Sequence, residues 1–296
     1  MKKGNYHESV MPREAVEGLH IKKLAKYIDA TLGNGGHTLE ILQEGGRVLG
    51  IEMDPKMLEI ALERIGVNEN FKGVPGNFES IDTIARENDW GEVSGILFDL
   101  GVSNIHLKDL ERGFSFENPE APLDMRLNPL AQGVKAADLL NVLREDQLRN
   151  LFEVTLDPGA AKWISGRVMY SRDIKPIETV GDMQEISTGL KTGKHSLSEA
   201  TLPFLALRIA VNSELANLKT ALPKAFELLE NTGRLVVISF HSGEDAIVKE
   251  FFKEKAAQGK AELVSYKPVK AGESEIEKNR RARSAKMRIL QKIVST

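Results

Sequence analysis

The sequence predicts an α/β protein with an open, doubly wound, Rossmann-like parallel sheet that a helical domain interrupts. Three observations support this prediction. Apolar or β-branched runs closed by Gly or Asp recur toward both ends of the chain, with helical patterns between them, as expected when helices cover both faces of a sheet. In the middle of the chain this alternation gives way to helical periods and loops. The length of 296 residues suits two domains or one large fold with an insertion.

Strands and helices alternate in the first third of the chain. The predicted strands are Tyr27–Thr31, Arg47–Glu52, Phe71–Val74 and Ser94–Phe98. The predicted helices between them are Thr38–Gln43, Pro55–Ile65 and Ser80–Glu87. Glycines follow the first two helices, as is usual at helix ends. A strand, helix, strand order of this kind predicts parallel pairing with crossover helices.

The middle of the chain is predicted to be helical, and the sheet resumes near the C-terminus. After a loop at Gly113–Pro129, the helical segments are Val134–Val154, Ala160–Tyr170 and Ile177–Leu190, with a turn at Thr192–Lys194. A longer helix, Leu202–Leu218, leads back to the sheet, whose remaining elements are strand Gly233–Phe240, helix Glu244–Ala257 and strands Ala261–Tyr266 and Ser284–Gln291. We therefore expect residues 1–105 and 201–296 to form the core and residues 106–200 to form the insertion.

Composition excludes several classes of protein. The absence of cysteine excludes disulfide scaffolds, Cys-ligated metal centres and thiol nucleophiles. The longest apolar run, Leu235–Phe240, is far too short to cross a membrane, and no targeting segment is evident near the N-terminus. We expect a soluble, cytoplasmic protein. The net charge of −3 gives no overall attraction to nucleic acid, so a polyanion would need a local basic cluster.

The segment Asp29–Thr38 runs from a strand through a glycine-rich turn into a helix. Glycines allow a ligand to approach the backbone closely, and the helix start offers N–H groups to an anion. The turn is not the dinucleotide fingerprint, because Leu39 stands where a third small residue is required. A ligand site and an ordinary tight turn with a capped helix are both compatible with this segment.

Acidic residues follow two of the predicted strands. Asp54 comes after the second strand, where it can bind ribose hydroxyls or cap the helix that begins at Pro55. Asp99 ends the fourth strand and is expected to face the same crevice as Gly35. The glycine turn and the acidic strand end together favour a cofactor that contains adenosine.

Two His-x-x-Glu pairs and a basic C-terminal segment are further candidate functional features. His37 with Glu40 and His241 with Glu244 have a His-x-x-Glu spacing, but helix capping explains both acids, so no metal is predicted. The segment Lys278–Arg288 contains basic residues and no acid. Such a run is either a solvated surface or a track for phosphates.

These residues resemble the RsmH (MraW) family, S-adenosylmethionine-dependent methyltransferases that act on N4 of a cytosine in 16S ribosomal RNA near the decoding centre. The matching segments run in order over nearly the whole chain: His7–Met11, Asp29–Thr38, Asp99–Ser103, Glu111–Phe116, Pro122–Arg126, Leu207–Ile209, Val211–Leu215, Ser239–Ser242, Glu244–Asp245 and Arg281–Ser284.

The resemblance implies a class I methyltransferase core with an inserted helical domain that helps to recognise the substrate. It implies cofactor contacts at Gly35, Gly36, His37, Asp54, Phe78 and Asp99, with His106 where the family usually has glutamine. Asp99 is the expected catalytic residue. Our candidates for the base pocket are Asp124, Arg126, Asn212 and His241. Our candidates for RNA contacts are Arg280, Arg281, Arg283, Lys286 and Arg288. The implied partner is 16S rRNA in the small ribosomal subunit, bound by a monomer or a homodimer.

The chain departs from the family pattern in places. In the insertion, the segment Thr155–Pro158 replaces the family's tyrosine-glycine-glutamate-glutamate stretch, and outside it Leu205, Gly243 and Ala246 differ from the usual residues. This drift leaves two alternatives open: a divergent member that methylates another RNA site, and a noncatalytic ribosome-assembly or RNA-binding factor. A nicotinamide oxidoreductase is a weaker alternative because the glycine fingerprint is incomplete.

Overall fold

A computed structural model describes residues 9–191 and 198–293, apart from the side chains of residues 104 and 108. The predicted turn at Thr192–Lys194 and the first two residues of the His7–Met11 segment lie outside the described residues. The described strands are β1 Lys26–Asp29, β2 Arg47–Glu52, β3 Phe71–Pro75, β4 Val93–Asp99, β5 Leu229–Ser239, β6 Ala261–Leu263 and β7 Lys286–Lys292.

The seven strands form one sheet in the order β3-β2-β1-β4-β5-β7-β6. The first five strands are parallel, and β7 lies antiparallel between β5 and β6. The predicted open sheet is therefore confirmed. The chain order reverses between β1 and β4, and ligands of such sheets bind beyond the carboxyl ends of the strands at this point.

Thirteen α-helices are described. They are α1 Pro12–Leu19, α2 Gly36–Gln43, α3 Pro55–Ile65, α4 Ile81–Glu87, α5 Asn104–Lys108, α6 Ala136–Val142, α7 Glu145–Phe152, α8 Pro158–Ile174, α9 Val180–Ser187, α10 Thr201–Val211, α11 Glu214–Leu228, α12 Ser242–Ala257 and α13 Glu273–Lys278. Short 3₁₀ turns occupy Phe78–Ser80 and Arg280–Ser284. None of the helices in the described ranges combines the length and apolar composition that a bilayer crossing requires.

The chain divides into two compact units. Unit 1 contains residues 1–101 and 215–296, and unit 2 contains residues 102–214. In unit 1, alternate residues of each central strand enter separate apolar clusters, so that Ile28 and Phe98 belong to one cluster and Tyr27 and Leu97 to the other. Helices cover both clusters, which explains why the strands read as continuous apolar runs rather than as alternating ones.

Unit 2 has its own apolar core, to which helices α6 to α10 contribute. The boundaries predicted for the insertion, residues 106–200, differ from those of unit 2 at both ends. Residues 201–214 fall in unit 2 rather than in the sheet unit, because Phe204 and Leu207 of α10 are buried in the same cluster as Leu148 and Ile164.

Two predicted helices are each divided in two. The predicted helix Leu202–Leu218 is broken between α10 and α11, where Ser213 has a φ of 51° and the Asn212 side chain bonds to backbone groups. The predicted helix Val134–Val154 is broken between α6 and α7 because Leu143 and Arg144 are extended. Helical periodicity continues across both breaks, so the apolar pattern did not reveal them.

Candidate active site

The loops that follow β1, β2, β3 and β5, together with the last residue of β4, carry the predicted cofactor residues of unit 1 and His241. Parallel neighbours place the ends of these strands along one edge of the sheet: Asp29 of β1 pairs with Gly50 of β2 and with Leu97 of β4, and Asp99 of β4 pairs with Ile238 of β5. Side chains beyond these strand ends therefore share the crevice where the chain order reverses.

The glycine turn after β1 requires glycine for conformational and steric reasons. Gly35 has a φ of +79°, and a Cβ atom there would lie 2.8 Å from Cδ1 of Ile65. At Gly36, a Cβ atom would overlap Oγ of Ser9. Gly35 is the N-cap residue of α2 and has no side chain with which to cap the helix. The backbone N–H groups of the first turn are thus suited to bind a ligand.

Glu52, the last residue of β2, holds this turn. Its carboxylate accepts hydrogen bonds from the backbone N–H of Gly33 at 2.7 Å and of Asp54 at 2.8 Å. Burial disfavours the charged form more than these two donors favour it, so the pKa of Glu52 is raised to about 7. Sequence reasoning did not select Glu52, although its place at the last position of a buried strand was the available signal.

Asp54 lies where the acidic strand end was predicted, but the structure gives it a capping role as well. Its Oδ1 accepts a hydrogen bond from the backbone N–H of Lys56 at 2.9 Å, and Pro55 is the first residue of α3. The side chain is buried. The helix-capping alternative is therefore realised in the structure, and a ribose contact by Asp54 stays a prediction.

The buried His37 lies close to the half-buried Asp99. Nε2 of His37 lies 3.4 Å from Oδ2 of Asp99, and the histidine side chain is 5% exposed. Neither ring nitrogen of His37 nor Oδ1 of Asp99 has a hydrogen-bond partner within the described ranges. Burial lowers the pKa of His37, but its contact with Asp99 and the charges of Asp99, Asp29 and Glu40 outweigh burial, so the net shift is upward.

The end of β1 is tied to the end of β4 by hydrogen bonds. Oδ2 of Asp29 accepts a hydrogen bond from the Thr38 hydroxyl at 2.7 Å, and the backbone N–H of Asp99 donates to Oγ1 of Thr31 at 2.6 Å. Asp29 is completely buried, and burial raises its pKa. These bonds fix the backbone on both sides of the His37–Asp99 pair.

Phe78 and His241 follow β3 and β5. The Phe78 ring contacts the Phe98 ring edge to face, with the ring centroids 5.6 Å apart. Nδ1 of His241 accepts from the backbone N–H groups of Gly243 and Glu244, while the Glu244 carboxylate accepts from the N–H groups of Phe240 and His241. His241 thus caps α12 through Nδ1, while its buried Nε2 has no hydrogen-bond partner within the described ranges, and a role of His241 in the base pocket stays a prediction.

Three of the base-pocket candidates form a network inside unit 2. The Arg126 guanidinium donates to both oxygens of Asp124 at 2.7 Å, and its Nη1 donates to the carbonyls of Pro129 and Gln132. Asn212 accepts from the N–H of Leu127 and donates to the carbonyls of Met125 and Arg208. The structure brings these residues together but uses their polar atoms to shape residues 124–132, which we call the Asp124 loop.

His106 also makes local bonds in unit 2. Its Nδ1 accepts from the backbone N–H of Ser103, the N-cap of α5, and its ring packs against Phe114 with centroids 5.5 Å apart. A cofactor contact by His106 is not tested by these bonds and stays a prediction.

The basic C-terminal segment is divided by the structure. Lys286 and Arg288 both bind the carboxylate of Asp245, and the Arg288 side chain is only 13% exposed. The Arg281 guanidinium lies over the Phe240 ring at 5.0 Å. Only Arg280 and Arg283 of the five predicted RNA contacts are exposed. The structure therefore pairs Lys286 and Arg288 of β7 with an acidic residue of α12, and RNA contacts by the five basic residues stay a prediction.

The fold and these strand ends define a class I S-adenosylmethionine-dependent methyltransferase. The evidence is the sheet order with an antiparallel β7, the glycine turn after β1 and the acidic ends of β2 and β4. The buried, partnerless polar atoms of His37 and Asp99 are the kind of groups that a bound polar ligand would satisfy. The cofactor supplies an electrophilic methyl group.

Comparison with known proteins identifies the family. The chain belongs to the MraW methylase family, whose model matches residues 4–293. It is 40% identical to ribosomal RNA small subunit methyltransferase H of Methylacidiphilum infernorum, over 97% of this chain and 94% of that protein. It is 38% identical to the protein of the same name from Coprothermobacter proteolyticus, over 97% of this chain and 96% of that protein.

A solved structure is similar at lower identity. It is a putative methyltransferase of Streptococcus mutans in complex with SAH, with a TM-score of 0.47 and 14% identity over 97% of this chain and 100% of that chain. The family and the cofactor expected from the sequence are thereby confirmed by the family model and the relatives.

Proposed function

We propose that this protein transfers a methyl group from S-adenosylmethionine to the N4 amine of a cytosine in 16S rRNA, near the decoding centre of the small ribosomal subunit. The two relatives described above are named as small-subunit ribosomal RNA methyltransferases, which supports the RNA class. The observation that carries the choice of an amine is Asp99, whose Oδ1 is buried at a strand end and has no hydrogen-bond partner in the described part of the chain. An N–H of the acceptor amine would satisfy this oxygen.

The proposed cofactor contacts follow the sheet edge. The backbone of Gly35, Gly36 and His37 would hold the methionine carboxylate at the start of α2. Asp54 would bind the ribose hydroxyls, and Phe78 would pack against the adenine. Glu52 would act indirectly, because its bonds to Gly33 and Asp54 fix both the glycine turn and the start of α3.

The reaction needs alignment more than activation. The exocyclic nitrogen of cytosine is a weak nucleophile because its lone pair is delocalised into the ring. By accepting one N–H, Asp99 would orient that lone pair and stabilise the positive charge that develops on nitrogen as the N–C bond forms and the methyl–sulfur bond breaks. The amine would then release this proton to the Asp99 carboxylate. Alignment of two bound reactants can remove about 7–11 kcal/mol of barrier.

The RNA would be held by several parts of the chain. Arg280 and Arg283 are exposed and would contact phosphates, and unit 2 would help to recognise the RNA. A single-stranded target is favoured because its base can leave the stack at least cost. Since small ribosomal subunits are the substrate, we place the reaction in the cytoplasm, with the enzyme as a monomer or homodimer.

The direct test combines purified protein, methyl-labelled S-adenosylmethionine and small ribosomal subunits that lack the modification. Nucleoside analysis should find the label in N4-methylcytidine. Large ribosomal subunits serve as the substrate control, and Asp99→Asn serves as the matched protein control. Label in other nucleosides would contradict the proposed site. Cofactor binding without any methyl transfer would instead support a noncatalytic RNA-binding factor.

A further inference from the structure

His37 has a side chain that the cofactor assignment does not explain. The proposed cofactor contact uses the backbone at the start of α2, whereas the imidazole is buried and directed at Asp99. Both of its nitrogens lack hydrogen-bond partners within the described ranges. Burying polar ring nitrogens without hydrogen bonds lowers the stability of the fold, which indicates that the imidazole has a function other than stabilising it.

The two oxygens of Asp99 have different surroundings. Oδ2 lies 3.4 Å from Nε2 of His37, whereas Oδ1 is the buried oxygen without a partner. Catalytic hydrogen bonds are often long before substrate binds and shorten in the complex. If Nε2–H holds Oδ2, rotation of the carboxylate is restricted and Oδ1 is left for another donor.

We propose that His37 is a positioning residue that holds Oδ2 of Asp99 through its Nε2–H and thereby directs Oδ1 toward the N–H of the acceptor amine. This inference rests on the proposed function. No covalent step passes through His37, because the imidazole acts only as a donor to Asp99. The charged groups that face the ring are Asp99 from β4, Asp29 from β1 and Glu40 of α2 itself.

These three carboxylates favour the protonated ring, and the pKa of His37 is accordingly raised. The charged imidazolium is thus favoured over the neutral ring, and it is the stronger donor to Asp99. As pH rises through the His37 pKa, the ring loses a proton and the bond to Asp99 loses its charge assistance. Turnover should therefore fall on the alkaline side with the same pKa that the His37 imidazole shows.

The first experiment measures the pairing without cofactor or RNA. The pKa of the His37 imidazole is determined by NMR in the wild-type protein and in Asp99→Asn, with the exposed His20 as an internal control. Loss of the carboxylate charge should lower the His37 pKa by about 1 or more, and should leave His20 unchanged. An unchanged His37 pKa would overturn the proposal.

The second experiment compares His37→Gln with His37→Leu. Glutamine retains a neutral N–H donor, whereas leucine fills a similar volume without one. We expect kcat to fall about tenfold in His37→Gln, with loss of the alkaline limb, and on the order of 100-fold in His37→Leu. His20→Gln should match the wild type in every assay.

Measuring cofactor affinity shows whether the His37 side chain positions Asp99 or binds the cofactor. Calorimetry should give S-adenosylmethionine Kd values within about threefold of wild type for His37→Gln, because the backbone contacts remain. Equal kcat values and the same pH profile in the wild type, His37→Gln and His37→Leu would overturn the inference. The proposed function would be left intact. Failure of the wild type to methylate cytosine would instead overturn the proposed function, and the NMR result would still decide the pairing.

Discussion

In unit 1, the side chains of His37 and Asp99 lie beside each other, and three of their buried polar atoms have no hydrogen-bond partner among the described residues. In unit 2, by contrast, the guanidinium and amide groups of Arg126 and Asn212 are engaged by neighbouring groups. Both sets of residues lie in segments that sequence reasoning selected as functional. The difference shows that a motif can be specific for a family because it shapes a loop, and not only because it contacts a ligand.

This comparison predicts that substitutions in the two sets of residues impair different properties, stability in one set and activity in the other. Residues of the Asp124 loop should contribute mainly to stability, because each substitution leaves a partner unsatisfied. The His37–Asp99 pair should contribute mainly to activity, because its partnerless atoms contribute little to the fold. Four changes test this division, beginning with the largest expected effect.

Asp99→Asn should lower kcat on the order of 100-fold or more, since the amide cannot replace a carboxylate that accepts the amine N–H. The free energy of unfolding should fall by only about 1–2 kcal/mol, because the contact of Oδ2 with His37 loses its charge, whereas Oδ1 makes no hydrogen bond within the described ranges. Methyl transfer to undermodified small subunits and urea unfolding measure the two quantities. A variant with near-normal kcat would remove Asp99 from the reaction.

Arg126→Ala should lower the free energy of unfolding by about 3–4 kcal/mol. The change removes a bidentate, largely buried pair with Asp124 and two bonds to loop carbonyls. The pKa of Asp124 is lowered in the native state because Arg126 outweighs the effect of burial, so this carboxylate depends on its partner.

The matched control for Arg126→Ala is Arg13→Ala, which removes an arginine from an exposed ion pair with Glu17 on α1. That change should cost about 0.5 kcal/mol or less. Denaturant unfolding of both variants checks the difference. Equal losses would show that the Asp124 loop is not held by this network.

Glu52→Gln should flatten the pH dependence of stability. In the wild type the Glu52 carboxyl is protonated in the native state up to a pKa of about 7, whereas the unfolded chain ionises near 4.5. The native state binds more protons in this window, so the free energy of unfolding falls as pH rises from about 4.5 to about 7.

The contribution of Glu52 to this fall is about 2–3 kcal/mol. Urea unfolding of both proteins at intervals between pH 4.5 and 7.5 isolates it as the difference between the two curves. Glu40→Gln, on the exposed side of α2, provides a control for removal of a carboxylate. Parallel curves for wild type and Glu52→Gln would contradict the assignment.

The smallest effect is expected from the exposed arginines of the C-terminal segment. Arg280→Ala with Arg283→Ala should weaken RNA binding and reduce the slope of log K against log salt by about 1.5. Lys249→Ala with Lys253→Ala removes two exposed charges from α12 and should leave the slope nearly unchanged. Fluorescence titration of a labelled small-subunit RNA fragment at several salt concentrations distinguishes the two double variants.

Much of unit 1 was predictable from the sequence. Strand β2 and helix α3 have the predicted bounds, because continuous apolar runs and a proline-initiated, glycine-terminated helix are strong local signals. Helices α5 and α13 were not predicted, since each is too short to show a helical period, and α1 was not predicted either, although it is as long as α2. The breaks at Leu143 and Ser213 depend on tertiary contacts that local patterns do not contain.

The site was predictable in its location more than in the role of each residue. Asp99 and the glycine turn lie at the strand ends where the pattern placed them. The bonds of Glu52, the capping role of His241 and the pairing of Arg288 with Asp245 involve partners that the sequence does not reveal. Only the structure separates residues that hold a loop from those whose polar atoms are left for a ligand.

The proposed function is tested most directly by nucleoside mass spectrometry of 16S rRNA from cells whose own gene is replaced by the wild-type or the Asp99→Asn sequence. We predict N4-methylcytidine at a single position with the wild type and its loss with Asp99→Asn, at equal protein levels. The same amount of N4-methylcytidine in both strains, or none in either, would contradict the account.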